Sequence, residues 1–177
     1  MKVFKLSEHG YKEALLGTSL SRSQPPENMV SVCRALAHKD GGHNKFLEFM
    51  VVWIDITAPR YWWQQMATYR IGSSFLSEST MYTIMKRLLT IKDFEDEEIH
   101  PDILRALNNL ILDKLFPEVK SNLPEGFLQR RIMVTNYKSL RNIINQRMFH
   151  KLPQWHSFCQ EILKQIEHPE FIIQNLN

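Results

Sequence analysis

The sequence of 177 residues lacks the features that mark several classes of protein. Its two cysteines, Cys33 and Cys159, lie far apart with no Cys-x-x-Cys pair, which argues against a disulfide framework and against a structural zinc site. We expect both to be buried thiols, and no metal site is indicated. Only six glycines are present, and neither the Gly41-Gly42 pair nor Gly72 matches a phosphate-binding or dinucleotide fingerprint.

Strong charge and long apolar runs are also absent. The 22 Lys and Arg residues against 19 Asp and Glu give a net charge of +3, which suits a small anionic ligand but not a dedicated nucleic-acid binder. No apolar run reaches the ~18 to 20 residues that a membrane span requires, and the N-terminus has no apolar signal region. We therefore expect a cytoplasmic protein without membrane or nucleic-acid partners. With 44% hydrophobic residues, the length predicts a single domain over residues 1–177.

The apolar pattern predicts an α+β fold that is mostly helical with a small sheet. Strands are predicted at 3–6, 46–56 and 132–134. Helices are predicted at 27–37, 61–68, 81–89, 100–115 and 136–148, with a last helix that contains Phe158, Ile162 and Ile166. Pro59, Pro117 and Pro153 are each expected to end the preceding element. The acidic stretch 93–98 is interpreted as a solvated turn.

The densest group of chemically distinctive residues lies at 58–80. It joins several aromatic rings to the Gln65 carboxamide and the Arg70 guanidinium, groups that together can hold a planar ring and a phosphate. The alternative is that the rings are core or interface residues, and we favour that interpretation for Trp62 and Trp63. Gly and Ser make up five of the eight residues at 72–79, a composition typical of a loop whose backbone approaches an anion and equally of a plain surface loop.

This segment resembles the signature of the flavin-dependent thymidylate synthases, the ThyX family. That family carries Ala-Pro-Arg and an aromatic residue, then Gln-Trp-Met-Arg-His-Arg, then a loop that ends in Ser-x-Arg-Tyr. The matching residues here are Ala58-Pro59-Arg60-Tyr61, Gln65, Met66 and Arg70, and Glu78-Ser79-Thr80-Met81-Tyr82 falls on the loop end if one residue is inserted.

Two further stretches follow in the family's order. Residues 42–49 keep the Gly, the His and the Glu of an upstream Gly-His-x-Ser-Pro-Phe-Glu-His element. Residues 136–155 reproduce the order of an Asn-Ala-Arg-Ser-Leu helix that ends in an Arg and is followed by Gln-Trp. The likeness runs from about residue 17 to residue 155, and the chain resembles a divergent member that is shortened between Leu89 and Leu123.

The resemblance implies a ThyX-like α+β fold in a homotetramer, with active sites where subunits meet. It also implies C5 methylation of dUMP or a related pyrimidine nucleotide, with methylenetetrahydrofolate as carbon donor, FAD as redox carrier and NADPH as reductant. By the same resemblance, the nucleotide site would be formed by Gln65, Ser77, Ser79, Lys120 and Arg147, of which Gln65 and Arg147 are the catalytic candidates. The flavin site would be formed by His43, Glu48, Tyr69, Arg70, Asn136 and Asn142.

The departures from the family pattern keep two other functions open. The family's Arg-His-Arg is Thr68-Tyr69-Arg70 here, and Met81 stands where the closing Ser-x-Arg has its Arg. Each lost charge-assisted contact weakens ligand binding by about 1.5 to 3 kcal/mol. The chain is therefore a working synthase, a catalytically degenerate relative that binds nucleotide or flavin, or a protein-interaction module.

Overall fold

A four-stranded antiparallel sheet lies at the centre of the chain, which a computed structural model describes over residues 1–173. The strands follow the spatial order β1-β2-β4-β3 and comprise β1 (Lys2–His9), β2 (Val51–Pro59), β3 (Ser73–Ser77) and β4 (Leu128–Asn136). β2 and β4 pair over their whole length, from Val51 opposite Asn136 to Pro59 opposite Leu128. β1 and β3 are therefore the two edge strands.

The described part of the chain also contains eight α-helices. They are α1 (Tyr11–Leu20), α2 (Met29–Ala37), α3 (Arg60–Met66), α4 (Thr80–Thr83), α5 (Pro101–Leu112), α6 (Phe116–Asn122), α7 (Tyr137–Arg147) and α8 (Pro153–Gln165). The predicted α+β class, mostly helical with a small antiparallel sheet, is confirmed. Across residues 1–173, none of the helices has the length and apolar character that crossing a membrane requires.

The main core packs on one face of the sheet. Val52, Ile54 and Ile56 alternate along β2 and are fully buried, as a strand with one covered face requires. Trp62 and Trp63 of α3 are also buried, which confirms their interpretation as core residues.

Both cysteines are free and buried, as predicted. Burial raises the pKa of the Cys159 thiol to about 12 and also raises the pKa of Cys33. Neither thiol is therefore suited to act as a nucleophile at neutral pH.

The opposite face of the sheet is open and partly apolar. Phe4, Asp55, Ile132 and Leu76 lie in one cross-strand row, and Phe4 and Leu76 are 56% and 79% exposed. Asp55 accepts three hydrogen bonds from the forked guanidinium of Arg130, at 2.9 and 3.1 Å from Nε and at 2.5 Å from Nη2. Large apolar side chains therefore remain uncovered on this face within the single chain.

A second hydrophobic cluster lies apart from the main core. It is formed by buried residues between α4 and the start of β4, namely Ile84, Leu89, Phe94, Leu107, Ile111, Val119, Leu123 and Phe127. Within this segment, an isolated bridge joins Phe94 to Phe127, and Lys120 donates a hydrogen bond to the Thr80 hydroxyl. α5 and α6 thus have a small core of their own.

Two predicted elements near β2 and β3 are corrected. The strand predicted at 46–56 begins only at Val51, because Lys45–Glu48 forms a 3-10 turn that buries Phe46 and Leu47 side by side. The loop predicted at 72–79 contains β3. Serines are tolerated there because the strand lies at the sheet edge, where Phe75 packs against Trp63 at 6.0 Å between ring centres.

Two helix boundaries are corrected as well. The helix predicted at 81–89 is limited to α4, because the backbone N–H and C=O of Leu89 bond to the Asn108 carboxamide instead of continuing the helix. Pro117 does not end α5, which stops at Leu112. It lies in the first turn of α6, where a missing N–H is tolerated.

Candidate functional site

A groove of about 520 Å³ opens beside the start of β3 and the first turns of α7. Five of the six residues predicted for the flavin line it, namely Glu48, Tyr69, Arg70, Asn136 and Asn142. These residues come from three separate segments of the chain. The structure therefore brings together what the sequence pattern grouped only by resemblance.

Gly72 determines how closely β3 approaches α7 at this groove. Its φ is +68°, and an added Cβ would collide with the Ser139 hydroxyl and lie 2.7 Å from Asn136 Nδ2. Asn136 caps α7, since its Oδ1 accepts a hydrogen bond of 2.9 Å from the Ser139 amide. A glycine is therefore required where the strand begins against the helix cap.

The groove carries an excess of positive charge. Lys138 pairs with Glu48 at 2.5 Å, and Arg141 pairs with Asp40 at 3.6 Å. Arg70 is exposed and forms no ion pair within residues 1–173. The Arg70 guanidinium is thus available to pair with an anionic ligand.

Three of these lining residues were not predicted from the sequence. The sequence could have pointed to Lys138, because this residue lies inside the 136–140 motif that carries the resemblance. Asp40 and Arg141 carry no motif signal, and only the fold brings them to the groove. The Arg141 Nε is buried without a hydrogen-bond partner.

Next to the groove, Gln65, Tyr69, Arg147 and Trp155 form a set that we call the Gln65–Arg147 cluster. Trp155 Nε1 donates to Gln65 Oε1 at 2.8 Å. The Arg147 guanidinium lies 4.8 Å from the centre of the Trp155 ring, and its Nε donates to the Tyr69 hydroxyl at 2.7 Å. Both predicted catalytic candidates are therefore held on the same buried indole, and Tyr69 connects them to the groove.

The amides of both regions have their oxygen atoms engaged, which leaves N–H groups for a ligand. Gln65 Oε1 accepts from Trp155, Asn136 Oδ1 from Ser139, and Asn142 Oδ1 from Gln146 at 3.0 Å. The amide nitrogens of these three side chains donate no hydrogen bond within residues 1–173. The site is therefore suited to a ligand rich in acceptors, such as phosphate oxygens and ring carbonyls.

The remaining nucleotide candidates lie at the other end of β3. Ser77 and Ser79 are exposed, and Lys120 donates to the Thr80 hydroxyl. Ser77 pairs with Arg131, four residues along β3 from Ser73, which corresponds to roughly 13 Å. Within one chain, the structure does not join this group to the Gln65–Arg147 cluster.

His43 is the predicted flavin residue that does not line the groove. It is exposed and lines a separate cleft of about 450 Å³ beside α1, together with Thr18 and Lys45.

Arg131 was not predicted from the sequence. Its guanidinium lies 4.6 Å from the Trp63 ring centre, and burial lowers the pKa of Arg131.

Comparison with known proteins identifies the family. The family model described as Thymidylate synthase complementing protein, Thy1, matches residues 7–169. The chain belongs to this family. The Thy1 match includes the groove, the Gln65–Arg147 cluster and both ends of β3, and it extends beyond the stretch over which the motifs were recognised.

Solved structures show the same fold. One is the crystal structure of the flavin-dependent thymidylate synthase ThyX from Helicobacter pylori complexed with FAD and dUMP, with a TM-score of 0.81 and 16% identity over 100% of both chains. A second structure of ThyX from Helicobacter pylori with FAD and dUMP gives a TM-score of 0.78 and 15% identity over 98% of both chains. No curated protein sequence matches the chain significantly. This member of the Thy1 family is thus strongly diverged in sequence while its fold is retained.

Proposed function

We propose that the chain is a flavin-dependent thymidylate synthase. It would methylate C5 of dUMP or a related pyrimidine nucleotide, with methylenetetrahydrofolate as carbon donor and NADPH as reductant. The observation that carries the proposal is the donor-rich groove joined through Tyr69 to the Gln65–Arg147 cluster. The family membership and the FAD and dUMP in the Helicobacter pylori structures support it.

The groove residues fit FAD. Its diphosphate requires cations and N–H donors, and the groove offers Arg70 together with the amide nitrogens of Asn136 and Asn142. Because Gly72 has no side chain, the start of β3 lies directly against the α7 cap, where Asn136 is held at the groove. When bound, FAD supplies the redox step that a methylene-to-methyl transfer requires.

The Gln65–Arg147 cluster fits the nucleotide. The two terminal nitrogens of Arg147 and the amide nitrogen of Gln65 are donors, whereas a uracil ring offers two carbonyl oxygens and dUMP a phosphate. A guanidinium on a ring carbonyl stabilises negative charge at that oxygen, which favours the enolate-like state that makes C5 nucleophilic. Stacking on Trp155 keeps this guanidinium in place.

Self-association belongs to the same proposal. Ser77, Ser79 and Lys120 lie away from the Gln65–Arg147 cluster of their own chain. A second copy can supply them, and the open sheet face with Phe4 and Leu76 is an apolar surface available for such contacts. We propose a homotetramer, and light scattering coupled to size-exclusion chromatography tests its mass.

The degenerate-binder alternative rests on the departures from the family pattern. Met81 is 64% exposed at the position of a family arginine, and Thr68 is exposed on the rim of the groove. Neither side chain can replace a guanidinium. A protein that binds FAD and dUMP without turnover would favour this alternative.

The first test is the visible absorption spectrum of the purified protein after addition of FAD and desalting. A retained flavin band, followed by dUMP methylation, supports the synthase. A retained band without methylation favours the degenerate binder, and a colourless protein that binds no dUMP favours an interaction module.

Arg147→Ala provides the matching test of the nucleotide site. It should lower dUMP affinity at least tenfold with an unchanged melting profile, because it removes a charge-assisted contact. Arg105→Ala is the control, since Arg105 is exposed on α5 and pairs only with Asp102 among the described residues. A large loss of stability without a change in dUMP binding would indicate a structural role for Arg147.

A further inference from the structure

Tyr69 lies between the two ligand regions and bonds to both. Its hydroxyl accepts the hydrogen bond from Arg147 Nε at 2.7 Å and donates to Gln146 Oε1 at 2.9 Å. Gln146 Nε2 in turn donates to Asn142 Oδ1 at 3.0 Å. A continuous chain of hydrogen bonds therefore runs from Arg147 to a residue that lines the groove.

The chemistry of these groups allows the hydrogen bonds between Arg147 and Asn142 to run in only one donor-to-acceptor direction. A guanidinium N–H can only donate, so the Tyr69 oxygen accepts from Arg147 and its single proton goes to the Gln146 carbonyl. The Gln146 amide nitrogen is then the donor to Asn142. The orientations of both amides follow from the charge on Arg147.

Arg147 uses its Nε for the hydrogen bond to Tyr69, which leaves its two terminal nitrogens, Nη1 and Nη2, available to a ligand. Nη1 and Nη2 donate no hydrogen bond within residues 1–173. The ring faces of Tyr69 and Trp155 lie at 5.5 and 4.8 Å from the guanidinium. A flexible arginine is thereby fixed at Nε and against two rings, so that less side-chain entropy is lost when its fork meets a ligand.

We infer that Tyr69 is a positioning residue for Arg147, anchored by Gln146, and that it orients the guanidinium toward the nucleotide. The inference rests on the proposed function, because it takes Arg147 as a nucleotide-binding residue. It assigns to Tyr69 a role beyond contact with the flavin. It also gives a reason for a tyrosine at a position where the family pattern has histidine.

The test is dUMP binding to the full-length protein, measured by calorimetry on Tyr69→Phe. This change removes only the hydroxyl, so the affinity should fall about tenfold while the melting temperature stays the same. Gln146→Leu should cause a smaller loss, about threefold, because the hydroxyl remains but loses its acceptor. Tyr11→Phe is the matched control, since Tyr11 begins α1 outside both ligand regions and its hydroxyl bonds to no described residue.

A double-mutant cycle distinguishes positioning from a direct role. Once Arg147→Ala has been introduced, Tyr69→Phe should cause no further loss of dUMP affinity. Equal losses in both backgrounds, or wild-type affinity in Tyr69→Phe while Arg147→Ala binds weakly, would overturn the inference and leave the proposed nucleotide site intact. If Arg147→Ala itself binds dUMP normally, the nucleotide site fails and the inference with it.

Discussion

The two ends of β3 both carry polar candidates for the nucleotide site, but only one end holds them in place. At the Gly72 end, Gln65 and Arg147 are held on a buried tryptophan, and their remaining polar atoms are donors. At the other end, Ser77 and Ser79 are exposed on a short edge strand. The chain thus fixes one half of its candidate nucleotide site by itself and leaves the other half unorganised.

This difference separates what a single chain can bind from what an assembly would bind. Groups that are fixed before a ligand arrives lose little entropy on binding, whereas exposed serines have to be ordered by the ligand or by a neighbouring subunit. We therefore expect substitutions at the Gly72 end to act through the folded chain, and those at the Ser77 end to act through the assembly.

The largest effect is expected for Gly72→Ala. A side chain at φ +68° is strained, and its Cβ would collide with the Ser139 hydroxyl, so the free energy of unfolding should fall by about 1–3 kcal/mol and FAD should no longer be retained. Urea unfolding and the flavin spectrum measure the two effects. Gly126→Ala is the control, because no atom lies within 4 Å of its added Cβ. If the two variants have the same free energy of unfolding and retain FAD equally, β3 and α7 do not require a glycine at position 72.

Gln65→Glu should have the next largest effect, on ligand affinity alone. The new carboxylate still accepts from Trp155 Nε1, so stability should hardly change, but the free N–H donor is replaced by an anionic acceptor. We expect dUMP affinity to fall more than tenfold in calorimetry. Gln64→Glu adds the same charge one residue away, where the side chain is exposed and bonds to Glu125, and should bind dUMP normally.

A smaller effect is expected when both Ser77 and Ser79 are changed to Ala. Both are exposed, so the free energy of unfolding should change by less than about 0.5 kcal/mol. dUMP affinity should fall by roughly fivefold for each hydroxyl that contacts the ligand, and only at protein concentrations at which the assembly forms. Losing the same affinity in the dissociated chain would show that both ends of β3 act within one subunit.

The smallest effect concerns His150, which lies beside Trp155 with 6.4 Å between the ring centres. Burial, together with the charges of Arg147 and Lys151, lowers the pKa of His150 below 6.5. The imidazole should therefore titrate by NMR at lower pH than a free histidine and be neutral at pH 7. Arg147→Gln should move this midpoint upward, because one repelling charge is removed. An unchanged midpoint would mean that Arg147 is directed away from His150.

Most of the fold and part of the site were predictable from the sequence. The buried tryptophans and the strands β1 and β4 follow from apolar patterning, and the motif around Gln65 and Arg70 pointed to the groove. β3 was missed because a run of serines hides the pairing that the neighbouring strand imposes. Arg131 and Arg141 were missed because only tertiary packing gives them partners. The hydroxyl contact between Tyr69 and Arg147 spans 78 positions and has no local signature.

The separate hydrophobic cluster of α5 and α6 has a consequence for the cooperativity of unfolding. Its buried side chains, from Ile84 to Phe127, pack on one another and not on the main core. This cluster can unfold locally while the paired strands β2 and β4 stay folded. We therefore expect amide protons of α5 and α6 to exchange with solvent before those of the central strands. The Thr80–Lys120 contact beside Ser79 would be lost in the same opening event, while the groove at Gly72 stays intact.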